Sequence, residues 1–245
     1  ASNASSRASS RADVSAPDLT LAAASGDEDG AIALDISSSL VDGTDLAVTI
    51  AGVPTGATLS AGTDNGDGTW TLTSSQLSGL TVTPASDDSS DFTLTVTATA
   101  SDDRSSASSV QTLDVTVDAV ADAPTLSTSA ASGNEDGTIS LDISSALTDS
   151  SESLSVVISG VPTGAALSAG TDNGDGTWTL TSDQLSGLTV TPPSDDSSDF
   201  TLTVTATASD GSSSASSVET LAVSVDAVAD TPTLSTNAAT GNEDS

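Results

Sequence analysis

Apolar and polar residues alternate without a fault from Phe92 to Ala100, "FTLTVTATA". Phe92, Leu94, Val96 and Ala98 share one face and the threonines share the other. This is the period-two pattern of a half-buried antiparallel strand. The same rule runs through Ile32, Leu34 and Ile36, and through Leu46, Val48 and Ile50. It continues in Trp70 and Leu72, in Leu80 and Val82, and in Leu113, Val115 and Val117. The runs are short and separated by Gly, Asn, Asp and Pro turns, about seven to a repeat, which is the signature of a β-sandwich. No segment carries a helical period, although Ser74 to Gly79 can make a single turn.

The pattern then recurs. "EDG" begins at Glu28 and again at Glu135, an offset of 107. "GTDNGDGTWTLTS" begins at Gly62 and Gly170, and "SDFTLTVTATASD" at Ser90 and Ser198, offsets of 108. One residue is therefore inserted in between, where "VDGTDL" becomes "TDSSESL". A third copy starts at Thr231 and supplies one strand. The chain is predicted to be all-β, with two tandem Greek-key sandwiches end to end over 16–122 and 123–230. A flexible tail would precede them over 1–15, and the first strand of a truncated third repeat would follow over 231–245. Trp70, Phe92, Trp178 and Phe200 are in phase with the apolar faces and are expected to anchor the two cores, each contributing about 2–3 kcal/mol on burial.

Charge changes this picture most. Asp and Glu total 35 against 3 basic residues in 245, a formal net charge of −32. Such a chain repels nucleic acid and anionic membranes and attracts cations. It has no Cys and no His, which removes disulfides, thiolate sites, the commonest general base and the commonest zinc ligand. A Ser-His-Asp triad is therefore impossible. No apolar run is long enough for a transmembrane helix, and no secretion signal opens the chain, so an export signal would lie outside it.

Topology alone places many of the acids. Eleven positions separate Pro17 from Glu28. Extended, they reach about 36 Å, one domain length, so Glu28 falls at the trailing end of its repeat. Asp118 ends the last strand there, and Asp87 and Asp88 precede its hairpin partner. Asp102 falls in the opposite turn. The linker "VDAVADAPTLS" adds Asp122, and the leading end of repeat 2 adds Asp149 and Asp210, with Glu152 nearby. Glu135, Asp195, Asp196, Asp226 and Asp230 repeat the set one domain later. Two carboxylates 4 Å apart repel by roughly 4 kcal/mol at an effective dielectric of 20. Hard divalent cations with oxygen-only coordination remove that cost, and Ca2+ suits such a cluster best. The plain alternative is that these acids are solvated loop residues; convergence at one junction favours metal.

With these residues placed, the chain resembles the cadherin-like or Ig-like tandem repeats of large RTX-type bacterial surface adhesins. "DAVADAP" (Asp118, Asp122, Pro124) is similar to the cadherin linker Asp-x-Asn-Asp-Asn-x-Pro, although Val120 and Ala121 stand where the family has ligands. "SDDSSDFTLTVTATASD" resembles the cadherin Leu-Asp-Arg-Glu stretch and its following strand. The resemblance implies metal roles for Asp87 or Asp88, for Asp102, for Asp195 or Asp196, and for Asp210. Glu28 and Glu135 fall at the family's first-strand glutamate. It further implies a calcium-stiffened, non-catalytic spacer on a secreted bacterial surface protein; the fragment itself is expected to be monomeric. Its partners would be calcium ions and neighbouring repeats, and it would project an adhesive domain in cell adhesion and biofilm formation.

"TDNGDGTW" invites a calcium-loop reading, but it lacks the distal Glu and the flanking helices of an EF-type loop. Asn-Gly and Asp-Gly make it a hairpin turn instead. "VPTGA" at Val53 and Val161 reads as a second turn. Paired acids could serve a glycosidase, but no aromatic-lined groove is evident. Each repeat could instead be a carbohydrate- or protein-binding module. Asn3-Ala4-Ser5 fits a glycosylation acceptor, a triplet common by chance.

Overall fold

The computed structural model describes residues 13–239. Asn3 and most of the 1–15 tail lie outside the described residues. Repeat 1 contains β1 (Asp18–Leu21), β2 (Ala24–Asp27), β3 (Ile32–Ala33), β4 (Ile36–Ser39), β5 (Asp45–Ala51) and β6 (Thr58–Leu59). It continues with β7 (Thr63–Asp64), β8 (Thr69–Thr73), β9 (Thr81–Thr83), β10 (Phe92–Ser101) and β11 (Ser106–Asp118). Its one helical segment among the described residues is the expected single turn, a 3-10 turn at Ser74–Leu77.

Two layers form. In one, the strands run in the order β2-β11-β10-β5-β8-β7. In the other, β1 pairs with β4, and β3-β9-β6 form a three-stranded sheet. Because β3 and β4 are two halves of one run, these pairings make a single layer. The first run switches layers: β1 pairs antiparallel with β4, then β2 pairs in parallel with β11. Setting β7 and β8 aside, this is the Greek-key order of immunoglobulin-like and cadherin-like sandwiches. The β7–β8 hairpin is an addition on the outer edge of β5.

The second repeat follows the same plan. Its strands are β12 (Thr125–Ser129), β13 (Ala131–Asn134), β14 (Ile139–Ser140), β15 (Asp142–Ala146), β16 (Ser153–Ser159) and β17 (Ala166–Leu167). They continue with β18 (Thr171–Asp172), β19 (Thr177–Leu180), β20 (Thr189–Thr191), β21 (Phe200–Asp210) and β22 (Ser213–Asp226). The large sheet runs β13-β22-β21-β16-β19-β18. Two compact units result, one closing at Ala121 and including 210–213, the other opening at Asp122.

The alternation read from the sequence sets each core. Val48, Ile50, Leu94, Val96 and Ala98 are all fully buried in repeat 1, as are Val156, Ile158, Leu202, Val204 and Ala206 in repeat 2. Each Leu or Ile so buried contributes about 1.5–3 kcal/mol. The four aromatics do not anchor these cores. Trp70, Phe92, Trp178 and Phe200 are only partly buried and pack against the rims. Each lies on the inward face, as the alternation requires, but at the sheet edge or strand end, where the other layer does not cover it. No helix among the described residues is long and apolar enough to cross a membrane.

The segments before each sandwich are pinned by hydroxyls. Val14 is buried and its N–H donates to Ser105 Oγ at 3.1 Å, so the predicted tail is tied down by its last residues. The Ser109 hydroxyl donates to the Pro17 carbonyl, and that of Ser217 to the Pro124 carbonyl, each at 2.6 Å. Both prolines are buried without an N–H to satisfy. At the other end of the chain, residues 231–239 form no strand and are exposed.

Candidate functional site

At the trailing end of repeat 1, Glu28 is 2% exposed. The parallel β2–β11 register brings Asp27 opposite Asp118, so Glu28 follows directly. Its N–H donates to the Asp118 carbonyl at 3.1 Å, and its Oε1 accepts the Val120 N–H at 2.8 Å. Asp91 continues the ladder with a side chain, its Oδ1 accepting the Val117 N–H at 2.9 Å. Asp88 accepts the Ser90 N–H, and the Ser90 hydroxyl and N–H hold its carboxyl below the ordinary value. Asp87 has φ 57, a left-handed backbone that Asp tolerates better than most residues.

Repeat 2 reproduces this end. The Glu135 N–H donates to the Asp226 carbonyl, and Glu135 Oε1 accepts the Val228 N–H at 2.8 Å. Asp199 accepts from Val225, Asp196 accepts from Ser198, and Asp195 again has φ 57. Repulsion from Asp136, then from Asp195, pushes the Asp230 carboxyl above its ordinary value.

At the leading end of repeat 2, Asp149 is 6% and Glu152 is 7% exposed. The Ser151 hydroxyl and N–H both donate to Asp149 and hold its carboxyl below the ordinary value. Glu152 Oε1 accepts the Asp122 N–H at 2.6 Å. Glu152 Oε2 and Asp210 Oδ2 are buried and have no hydrogen-bond partner among the described residues. Glu152 precedes β16 and Asp210 ends β21, and the register pairs their neighbours, Ser153 with Ser209. The equivalent loop in repeat 1 is exposed, and there Asp42 accepts the N–H and hydroxyl of Ser15. The single inserted residue thus coincides with a buried acidic end in repeat 2. Asp102 accepts the N–H groups of Arg104 and Ser105 and so shapes the β10–β11 turn.

The donor chemistry fits a hard cation. Every candidate ligand is a carboxylate, and two buried carboxylate oxygens want a partner. No group of three or more acids among the described residues is gathered closely enough to form a metal site on its own.

Sequence reasoning missed the clasp by Glu28 and Glu135 on the following linker, and the ladder role of Asp91 and Asp199. The signal was present: a Glu and an Asp at matched positions in both copies. Spacing alone does not distinguish an acid that accepts a backbone N–H from one that faces an ion.

A comparison with models of protein families finds no match, and no curated protein matches the chain. Among solved structures, it is similar to titin domains Z1Z2 in complex with telethonin: 14% identity, 88% of this chain and 99% of that one, TM-score 0.37. It is similar to Drosophila N-cadherin EC1-4 at 16% identity, over 87% of this chain and 50% of that one, TM-score 0.43. Mouse protocadherin-24 EC1-3 gives 14% identity, 88% and 72% coverage and a TM-score of 0.36. The fold assignment itself rests on the strand order above.

Proposed function

We propose that the two repeats are non-catalytic extender modules of a secreted bacterial surface adhesin, stiffened by Ca2+ bound at the junctions between repeats. They carry a distal adhesive domain away from the cell in adhesion and biofilm formation. The observation that supports this best is the pair of buried carboxylate oxygens without partners, Glu152 Oε2 and Asp210 Oδ2, in a chain of net charge −32. An unsatisfied buried charge costs several kcal/mol or forces protonation, and a bound cation removes the cost. Glu152, Asp149 and Asp210 would supply ligands from repeat 2, Asp122 from the linker, and Glu28, Asp87, Asp88 and Asp118 from repeat 1. Glu135, Asp195, Asp196, Asp226 and Asp230 would serve the following junction. The ion supplies charge neutralisation and cross-linking; the chain's own residues supply oxygen donors and hold the linker backbone in place.

Calcium at an affinity of roughly 0.1–1 mM, as in extracellular modules, should raise the melting temperature. Calorimetric titration of the wild type and of the Glu152→Gln/Asp210→Asn double variant tests the assignment. Heat of binding should fall in the variant; equal affinity and stoichiometry would remove these residues from the site.

A further inference from the structure

We infer that each repeat carries a pocket for a basic side chain of a partner protein, built from Trp70 and Asp64 in repeat 1 and from Trp178 and Asp172 in repeat 2. The inference is independent of the calcium reading, because the residues that line the pocket include none of the proposed calcium ligands.

The register carries it. Asp64 on β7 sits directly opposite Trp70 on β8, and Asp172 sits opposite Trp178. Directly opposed residues of an antiparallel pair project to the same face, with Cβ atoms about 4.5–5.5 Å apart. Asp64 is exposed and Trp70 half-buried, and both line a cavity of about 210 Å³. Pro54 and Thr55 of the "VPTGA" turn complete its wall. Asp172, Trp178, Pro162 and Thr163 line the matching cavity of about 180 Å³. Asp64 Oδ1 accepts the Gly66 N–H at 2.8 Å, which fixes the carboxylate at the turn. Asp172 Oδ1 does the same for Gly174.

An indole beside a carboxylate suits a cation. The ring face attracts an ammonium or guanidinium, and the carboxylate supplies a charge-assisted hydrogen bond. Phosphates and other anions are repelled by the carboxylate and by the net charge of −32. The chain has only three basic residues, and the one described, Arg104, lies in the β10–β11 turn. A neutral sugar could stack on the indole but would make no use of the charge.

The chain's two tryptophans give two indole N–H signals in a nitrogen-15 correlation spectrum of the full chain, assigned with Trp70→Phe and Trp178→Phe. N-acetyl-arginine amide should shift both signals saturably, at a dissociation constant on the order of 1–10 mM at low salt. Raising NaCl from about 20 to about 500 mM should weaken binding severalfold. Asp64→Asn keeps an acceptor for the Gly66 N–H and removes only the charge. It should weaken the Trp70 response at least about fivefold and leave that of Trp178 intact. An unshifted pair of signals, a response that survives Asp64→Asn, or saturable shifts from a methyl glycoside but not from the arginine probe would each overturn the inference.

Discussion

Glu28 Oε1 accepts the Val120 N–H, and Glu135 Oε1 accepts that of Val228, both at 2.8 Å, so a buried acid in each repeat holds the chain that follows it. Glu28→Ala leaves that N–H without its acceptor and should cost about 1–3 kcal/mol. Glu28→Gln keeps an acceptor and should retain most of the stability while weakening calcium binding. Thermal unfolding and titration of the two variants separate the roles; equal destabilisation by both would contradict the clasp. Backbone geometry makes a second demand at Gly52, where φ is +85 and an added Cβ would lie 2.7 Å from the Thr93 carbonyl. Gly160 repeats it, 2.6 Å from that of Thr201. Gly52→Ala should therefore cost about 1–3 kcal/mol, lowering the denaturant midpoint without changing the slope. The sequence marked both as repeated positions without separating their roles: an acid and a glycine in a loop look the same whether they serve solvent, backbone or ion.

Strands were the most legible elements, because alternation reports directly which face is covered. The run from Phe92 reads true through Leu94, Val96 and Ala98, all fully buried. Alternation does not report distance from a sheet edge, which is why the tryptophans and phenylalanines, placed on the correct face, line rims and not centres. Turns were legible from their glycines: the Asn65 N–H donates to the Thr69 carbonyl within the hairpin read from "DNGDG". The acidic ends were legible only as places. Glu28 and Asp118 lie together, as strand length requires, and Asp102 shapes the opposite turn. At the trailing end of repeat 2 the raised Asp230 gives a pH prediction. Its folded value stands above 3.8, so its contribution to stability is fully present below 3.8 and is lost as pH rises through the raised value. Carbon-detected titration should show Asp230 titrating above its ordinary range, with Asp136→Asn returning it toward 3.8 and calcium lowering it. A midpoint that ignores Asp136→Asn would show that the carboxylates do not interact. Asp196, held down by Ser198, should titrate below 3.8, with its stabilising contribution fully present above 3.8 and lost as pH falls through the lowered value.

Composition governs the whole molecule. A net charge of −32 over 245 residues favours solubility and opposes compaction, and it makes ionic strength a natural control of dimensions. Duplication was plain from the sequence, and so was an all-β architecture. What joins the two sandwiches mechanically was not; on the proposed reading it depends on whether acids from both repeats share an ion. Small-angle scattering of the full chain, with calcium and after chelation, measures that most directly. A calcium-stiffened extender should show a longer maximum dimension and a narrower distribution of distances with calcium, both lost on chelation. A maximum dimension unchanged by chelation would contradict it.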